Sequence, residues 1–129
     1  MKIVIFSALL VALSLGNASA QTDAAKVQVD WSAVVPTANV AAQVGKKVAV
    51  CDTVYDYRVV SEALTLLNLG GRYPNQRLTV TVKGAGVKIN AAAMKGKPAC
   101  FYGEVTMFKN RPELVVTEPD QIKNIKQYQ

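Results

Sequence analysis

The sequence predicts an all-β domain with little helix: a five-stranded barrel with one short helix before the first strand and another between strands 3 and 4. Two observations predict this class. Five short segments alternate apolar and polar residues with a period of two, and turns rich in glycine, proline and asparagine separate most of them. The chain is also short, since 129 residues minus a predicted leader of twenty leave 109, enough for one modest core.

Residues 1–20 have the pattern of a secretory signal peptide. Lys2 supplies a positive charge, Ile3–Leu15 is apolar, and Ala18-Ser19-Ala20 provides the small residues of a cleavage site. The apolar run is too short for a membrane span, and no cysteine stands directly after it to carry a lipid anchor. We therefore expect a mature chain that begins at Gln21 and resides in the periplasm or outside the cell. The alternative is a retained N-terminal helix.

The charge balance is basic, and histidine is absent. Fifteen basic and nine acidic residues give a net charge of +6, and loss of Lys2 with the leader leaves fourteen against nine, or +5. This excess is compatible with a polyanionic partner, and it is equally ordinary for a small secreted protein. The absence of histidine removes the usual general base and the commonest zinc ligand.

The segments before the strands predict less regular structure. Residues 21–35 have no clean period and predict an extended N-terminal arm. Pro36–Gly45 predicts a short helix that Thr37 caps and that Gly45 ends. Its apolar face is expected to contain Val40, Ala41 and Val44.

Five strands and a second helix follow, and a polar, basic tail at residues 123–129 ends the chain. The second helix is Asn90–Lys95, with Asn90 as its cap. The strands are Lys47–Tyr57, Ala63–Leu69, Leu78–Lys83, Pro98–Phe108 and Glu113–Thr117. Their inward residues are expected to be Val48, Val50, Val54, Thr65, Leu67, Leu69, Leu78, Val80, Val82, Ala99, Phe101, Gly103, Val105, Met107, Leu114 and Val116.

Three strands, a short helix and two further strands are the layout of the OB-fold, which closes its sheet and removes exposed edges. Gly103 fits this layout because a residue without a side chain lets the fourth strand curve. Asp52 stands where a glycine would help the long first strand to bend. The domain is expected to span residues 36–122.

Several sequence motifs lie between roughly Ala38 and Ile122. They are Val44-Gly45-Lys46-Lys47-Val48-Ala49-Val50-Cys51, Leu67-Asn68-Leu69-Gly70-Gly71-Arg72-Tyr73-Pro74-Asn75-Gln76, Gly96-Lys97, Gly103, Arg111-Pro112-Glu113-Leu114-Val115-Val116 and Pro119-Asp120-Gln121-Ile122. Together these motifs resemble those of small secreted bacterial OB-fold proteins. The resemblance implies an OB domain of the kind grouped with nucleic-acid binders, and Asp52 departs from the family pattern, which favours glycine there.

Catalytic or metal chemistry finds little support in the sequence. Asp52 and Asp56 are four residues apart on one strand, so they are expected to point to the same side about 13 Å apart, too far to share a proton. Glu118 and Asp120 flank Pro119 and suit a solvated strand end, and no calcium-loop spacing is present. We expect a binding protein without a cofactor or metal, rather than an enzyme.

Cys51 and Cys100 are both out of phase with the inward residues of strands 1 and 4, which are neighbours in an OB barrel. In an oxidising compartment the two sulfur atoms could form a disulfide on the outer face. The alternative is two separate thiols, because the register of the two strands cannot be read from the sequence.

An OB-fold binds its ligands on the outer face of strands 2 and 3, flanked by two loops. Cations for phosphates are present there, but aromatic rings are expected only in loops, which predicts a poor stacking platform. We consider two functions, binding of single-stranded nucleic acid or another polyanion, and binding of an envelope protein or stress-related partner. For Arg72, Tyr73, Asn75 and Gln76 the alternative is a turn held by its own side chains. The candidate ligand-binding residues are Tyr55, Tyr57, Arg58, Asn68, Arg72, Tyr73, Arg77, Thr79, Lys83, Lys109 and Arg111.

Overall fold

A computed structural model describes residues 27–129 of the chain. The predicted signal peptide, its cleavage site and the start of the N-terminal arm lie outside the described residues. Within residues 27–129 there is no helix of the length and apolar character needed to cross a membrane.

Five strands form a single sheet that closes into a ring in the order β1-β2-β3-β5-β4 and back to β1. All neighbours are antiparallel except β3 and β5, which are parallel. The prediction of a mainly β fold with five strands in a closed sheet is therefore confirmed. The strands are β1 Lys47–Ser61, β2 Leu64–Leu69, β3 Leu78–Lys83, β4 Pro98–Phe108 and β5 Arg111–Val116.

Short helices connect and flank the strands. The helix α1, Ala91–Met94, lies between β3 and β4, and the Asn90 side chain accepts a hydrogen bond from the Ala93 amide at 3.1 Å, which confirms the predicted cap. Three segments of the described part of the chain form 3-10 helices: Thr37–Gln43, Pro119–Gln121 and Ile125–Tyr128.

The interior of the ring is the apolar core that the alternation predicts. Phe101, Leu67 and Leu114 are fully buried, as are the inward valines of β1 and β3 apart from small residual exposure at Val48 and Val82. Met107 keeps the phase of Val105 in the β4–β5 ladder but is 47% exposed, because β4 continues beyond the core to its hairpin with β5. Thr65 is half-buried. The predicted side of Met107 is therefore confirmed, but Met107 is not part of the core.

The first helix differs from its prediction. Thr37 is its first residue instead of its cap, and the Thr37 hydroxyl donates to Asp52 Oδ2 at 2.9 Å. Val40 is buried, but Ala41 and Val44 are exposed, because the tighter 3-10 winding places residues three apart in line. The predicted apolar face is therefore limited to Val40.

β1 extends four residues beyond its predicted end and contains a register shift between Val54 and Asp56. Asp52 keeps the phase of the inward valines and is half-buried, whereas Asp56 pairs with Asn68 on the outer face. The prediction that Asp52 and Asp56 point to the same side is wrong, because a bulge in β1 changes the phase of the strand. The Thr37 hydroxyl and the Thr53 amide satisfy the Asp52 carboxylate where a glycine was expected.

Gln121 fills the space where β4 and β5 separate. Its side chain is buried and its Nε2 donates to the carbonyls of Tyr102 at 2.9 Å and Val115 at 3.1 Å. Its Oε1 accepts from the amides of Thr117 at 2.8 Å and Glu118 at 3.0 Å. The polar Pro-Asp-Gln-Ile segment thus continues the hydrogen bonding of two strands, which explains a buried amide in an apolar core.

Both ends of the described chain pack against the sheet. The arm lies parallel to β1, where the Val35 amide donates to the Ala49 carbonyl at 2.8 Å. Within residues 123–129, which the sequence predicts as a basic tail, Tyr128 is buried and its hydroxyl donates to the Pro98 carbonyl at 2.8 Å. Ile125 also packs against the core, so this segment covers one end of the ring.

Cys51 and Cys100 form a disulfide, because they are directly opposite each other in the β1–β4 ladder. Cys51 is exposed and Cys100 is half-buried, so the bond lies on the outer face as their phase predicts. The alternative of two separate thiols is therefore wrong. The bond closes a chain segment of 49 residues and links the first and fourth strands covalently.

Candidate binding groove

A groove of about 600 Å³ lies on the outer face of β2 and β3, the face on which the sequence predicts binding. The second half of β1, the β2–β3 connection and the β4–β5 hairpin surround it. It is lined by Asp56, Tyr57, Arg58, Leu66, Asn68, Tyr73, Gln76, Thr79, Phe108, Lys109, Arg111, Pro112 and Glu113.

A row of four polar residues crosses the floor of this groove. Asp56 of β1 pairs with Asn68 of β2, Asn68 pairs with Thr79 of β3, and Thr79 pairs with Glu113 of β5. Partner residues in a sheet point to the same face, so the register alone brings these four side chains together. Three strand spacings put the two carboxylates about 14 Å apart, too far to act on one proton as a pair.

Hydrogen bonds connect most of this floor. Asn68 Nδ2 donates to Asp56 Oδ1 at 2.6 Å, and the Thr79 hydroxyl donates to Asn68 Oδ1 at 3.1 Å. Gln76 Nε2 reaches Thr79 Oγ1 at 3.3 Å, and the Tyr73 amide donates to Asp56 Oδ2 at 3.1 Å. Asn68 is only 6% exposed, so this predicted ligand-binding residue mainly holds the floor together.

Three aromatic residues belong to the lining of the same groove. Tyr57 is 36% exposed, Phe108 is 60% exposed and Tyr73 is 71% exposed. Tyr57 lies within β1 and Phe108 is the last residue of β4, so the expectation that the rings lie only in loops is wrong. The β1 strand is longer than its apolar pattern indicates. Tyr57 pairs with the buried Leu67, so its side chain shares the inner face of the sheet, and the exposed rings at the groove are those of Tyr73 and Phe108.

Three cations join these rings. Arg58, Lys109 and Arg111 line the groove, and Lys109 Nζ lies 5.4 Å from the centroid of the Phe108 ring. Lys109 and Asn110 both have positive φ, at 49° and 63°, which forms the tight two-residue turn between β4 and β5. Arg111 Nη1 donates to the Pro74 carbonyl at 2.5 Å and joins this hairpin to the β2–β3 connection.

The structure brings seven of the eleven predicted residues to the groove and leaves four outside its lining. Those outside are Tyr55, Arg72, Arg77 and Lys83. Arg77 and Lys83 flank the two ends of β3, beyond the part of the strand that forms the floor. The seven in the lining are Tyr57, Arg58, Asn68, Tyr73, Thr79, Lys109 and Arg111.

The sequence did not indicate Asp56, Gln76 or Glu113 as parts of a binding site. Gln76 was considered as part of a self-supporting turn, and its bond to Thr79, with the Asn75 amide donating to the Arg72 carbonyl at 2.6 Å, supports that role as well. Glu113 enters the floor only through the parallel β3–β5 pairing. No local sequence signal specifies a parallel register, so Glu113 could not have been found from its neighbours.

Within residues 27–129, no group of three or more His, Cys, Asp or Glu side chains is placed to hold a metal ion. A comparison with protein-family models finds no match to this chain, and a comparison with curated proteins finds none either. The resemblance to small secreted bacterial OB-fold proteins therefore stays a prediction from its motifs.

Proposed function

We propose that the closed sheet is an OB-fold and that the chain is a secreted or periplasmic module that binds single-stranded nucleic acid or a similar polyanion. The strand order β1-β2-β3-β5-β4 supports the fold, as does a groove on the outer face of β2 and β3. The disulfide, and the lack of a membrane-spanning helix within residues 27–129, are compatible with export.

The observation that carries this proposal is the meeting of two exposed rings, Tyr73 and Phe108, with three cations in one groove. Single-stranded nucleic acid needs flat side chains on which bases stack and cations that follow its phosphates. Tyr73 and Phe108 offer the first, and Arg58 and Lys109 offer the second. Arg111 contributes charge while it also holds the hairpin to the Pro74 carbonyl.

The carboxylates of Asp56 and Glu113 offset part of the positive charge in the groove and so limit the expected affinity for a polyanion. Three cations against two carboxylates leave a small positive excess in the groove lining. Electrostatic attraction alone is then modest, and stacking on the rings contributes about 1–3 kcal/mol for each base that it engages. We therefore expect weak binding. The contacts with the phosphate backbone should give little sequence preference and should make the affinity clearly dependent on salt.

The test is a fluorescence-anisotropy titration of a labelled single-stranded oligonucleotide, about a dozen nucleotides long, over a series of salt concentrations. The variant Arg58→Glu/Lys109→Glu reverses two groove charges. The matched control Lys88→Glu/Lys95→Glu changes the net charge equally on exposed positions outside the groove lining. A plot of the logarithm of the binding constant against the logarithm of the salt concentration has a negative slope. Loss of two phosphate contacts should reduce the magnitude of this slope by about 1.4, at ~0.7 for each contact.

The control variant should keep most of the affinity of the unmodified chain and its salt dependence. Equal losses in the two variants would show attraction by net charge without a groove. Absence of binding at low salt would refute the nucleic-acid proposal.

A second candidate, a protein or peptide partner, is favoured by exposed apolar side chains next to the groove. Val59 is 59% exposed and Val60 is 49% exposed beside Arg58 on β1, and Met107 is 47% exposed beside Phe108 on β4. Capture of a partner from periplasmic extract that survives nuclease and high salt, and that Val59→Asp/Met107→Asp abolishes, would support this candidate instead.

A further inference from the structure

Three side-chain hydrogen bonds on the groove floor run in one direction, toward β1. An N–H of Gln76 points to the Thr79 hydroxyl, the Thr79 O–H points to the Asn68 carbonyl, and an N–H of Asn68 points to the Asp56 carboxylate. The chain of donors thus ends on a carboxylate, which also receives the Tyr73 amide. One N–H of each amide and the O–H of Thr79 thus have partners within the floor.

Two acceptor atoms on this floor have no hydrogen-bond partner within residues 27–129. Gln76 Oε1 is buried and has no hydrogen-bond partner within residues 27–129. Glu113 accepts from the Thr81 hydroxyl through Oε1, and its other oxygen has no partner among the same residues. An ionised carboxylate has no donor, and the side-chain carbonyl of glutamine can only accept. A ligand seated here is therefore matched best by its own N–H groups.

We propose that this floor selects bases with an exocyclic amino group, so that the groove prefers cytosine to thymine. The inference rests on the proposed binding of single-stranded nucleic acid. Cytosine presents the N4 amino donor where thymine presents the O4 acceptor, and glutamate accepts well from cytosine N4. Thymine would place a carbonyl against Glu113 and leave two acceptors facing each other without a proton between them.

A comparison of oligo-dC with oligo-dT isolates the effect of the base edge on affinity. The rings of the two bases are similar in size, and the phosphates are identical, so contacts with Tyr73, Phe108 and the cations change little between them. The difference in affinity then reports the edge of the base. We expect oligo-dC to bind more tightly than oligo-dT of the same length by a factor on the order of tenfold.

The test measures both oligonucleotides by anisotropy at neutral pH, where cytosine stays unprotonated, and reads the ratio of their dissociation constants. Glu113→Gln keeps an oxygen for Thr81 and adds an N–H that can face thymine O4, so the ratio should fall toward one. The lost charge helps both oligonucleotides equally and cancels in the ratio. Glu62→Gln is the matched control, because Glu62 is exposed in the β1–β2 turn outside the groove lining.

Gln76→Met provides a second variant that keeps the length of the side chain and removes the unpartnered acceptor. It should also lower the preference for oligo-dC. Equal binding of both oligonucleotides to the unmodified chain, or a ratio that neither variant changes, would overturn the inference while the proposed function stands. Binding of neither oligonucleotide at low salt would refute the proposed function and this inference together.

Discussion

Replacement of Gln121 tests whether one buried amide holds β4 and β5 in their separated arrangement. Gln121→Met keeps the length of the side chain but removes its donors to the Tyr102 and Val115 carbonyls and its acceptor for the Thr117 and Glu118 amides. The Tyr102 carbonyl is the most buried of these groups, and leaving it without a hydrogen bond should cost about 2 kcal/mol of stability. The Val115 carbonyl and the Glu118 amide should cost about 1 kcal/mol each. Thr117 is exposed and water can replace its bond. The expected loss in free energy of unfolding is about 4 kcal/mol.

Urea unfolding followed by Trp31 fluorescence measures this loss, since the Trp31 ring lies edge-on 6.4 Å from the Tyr102 ring. The melting temperature should fall by roughly 15 °C. Gln121→Glu keeps the acceptor but turns a carboxylate toward two carbonyls, so its loss should be at least as large. Gln127→Met, at an exposed position, should stay within about 0.5 kcal/mol. A loss below about 1 kcal/mol for Gln121→Met would refute the reasoning, because it would mean that the four backbone groups find other partners.

Three further predictions follow from the same structure. Loss of the Cys51–Cys100 disulfide, by reductant or by double serine substitution, should lower the free energy of unfolding by about 4 kcal/mol for a closed segment of 49 residues, and an unchanged urea midpoint would contradict this. Gly103→Ala should lower it by about 1–3 kcal/mol because a Cβ there collides with a β5 carbonyl, whereas Gly86→Ala, in open space, should have little effect in the same thermal melt. Export of the full chain should yield an intact mass that begins at Gln21, and a secreted chain that retains the leader would show the cleavage prediction to be wrong.

Much of the secondary structure was predictable because the signals are local. The alternation of Leu78, Val80 and Val82 with threonines specifies a strand and its buried face without knowledge of any partner. The cap at Asn90 is also local, and it was predicted correctly. The end of β1 was predicted less well, because beyond Tyr57 the chain is exposed and is held as a strand by its pairing with β2.

The candidate groove was predicted only in part, for a different reason. The cations and tyrosines could be listed from the fold layout, but Arg77 and Lys83 fall outside the lining while Asp56 and Glu113 enter it. Whether a residue belongs to the lining depends on which residues face each other across neighbouring strands. A shift of one residue moves every side chain of a strand to the other face, and such shifts leave no mark in a single sequence.

The sequence by itself therefore determined the five strands, most of their buried residues and the outward phase of both cysteines, because a period of two is a property of each segment alone. The tertiary structure decided whether Cys51 meets Cys100, where the bulge at Asp56 reverses the phase of β1, and that Tyr128 covers one end of the core. Each of these depends on contacts between residues far apart in the chain, and the free energy of such contacts exists only once the strands are in register.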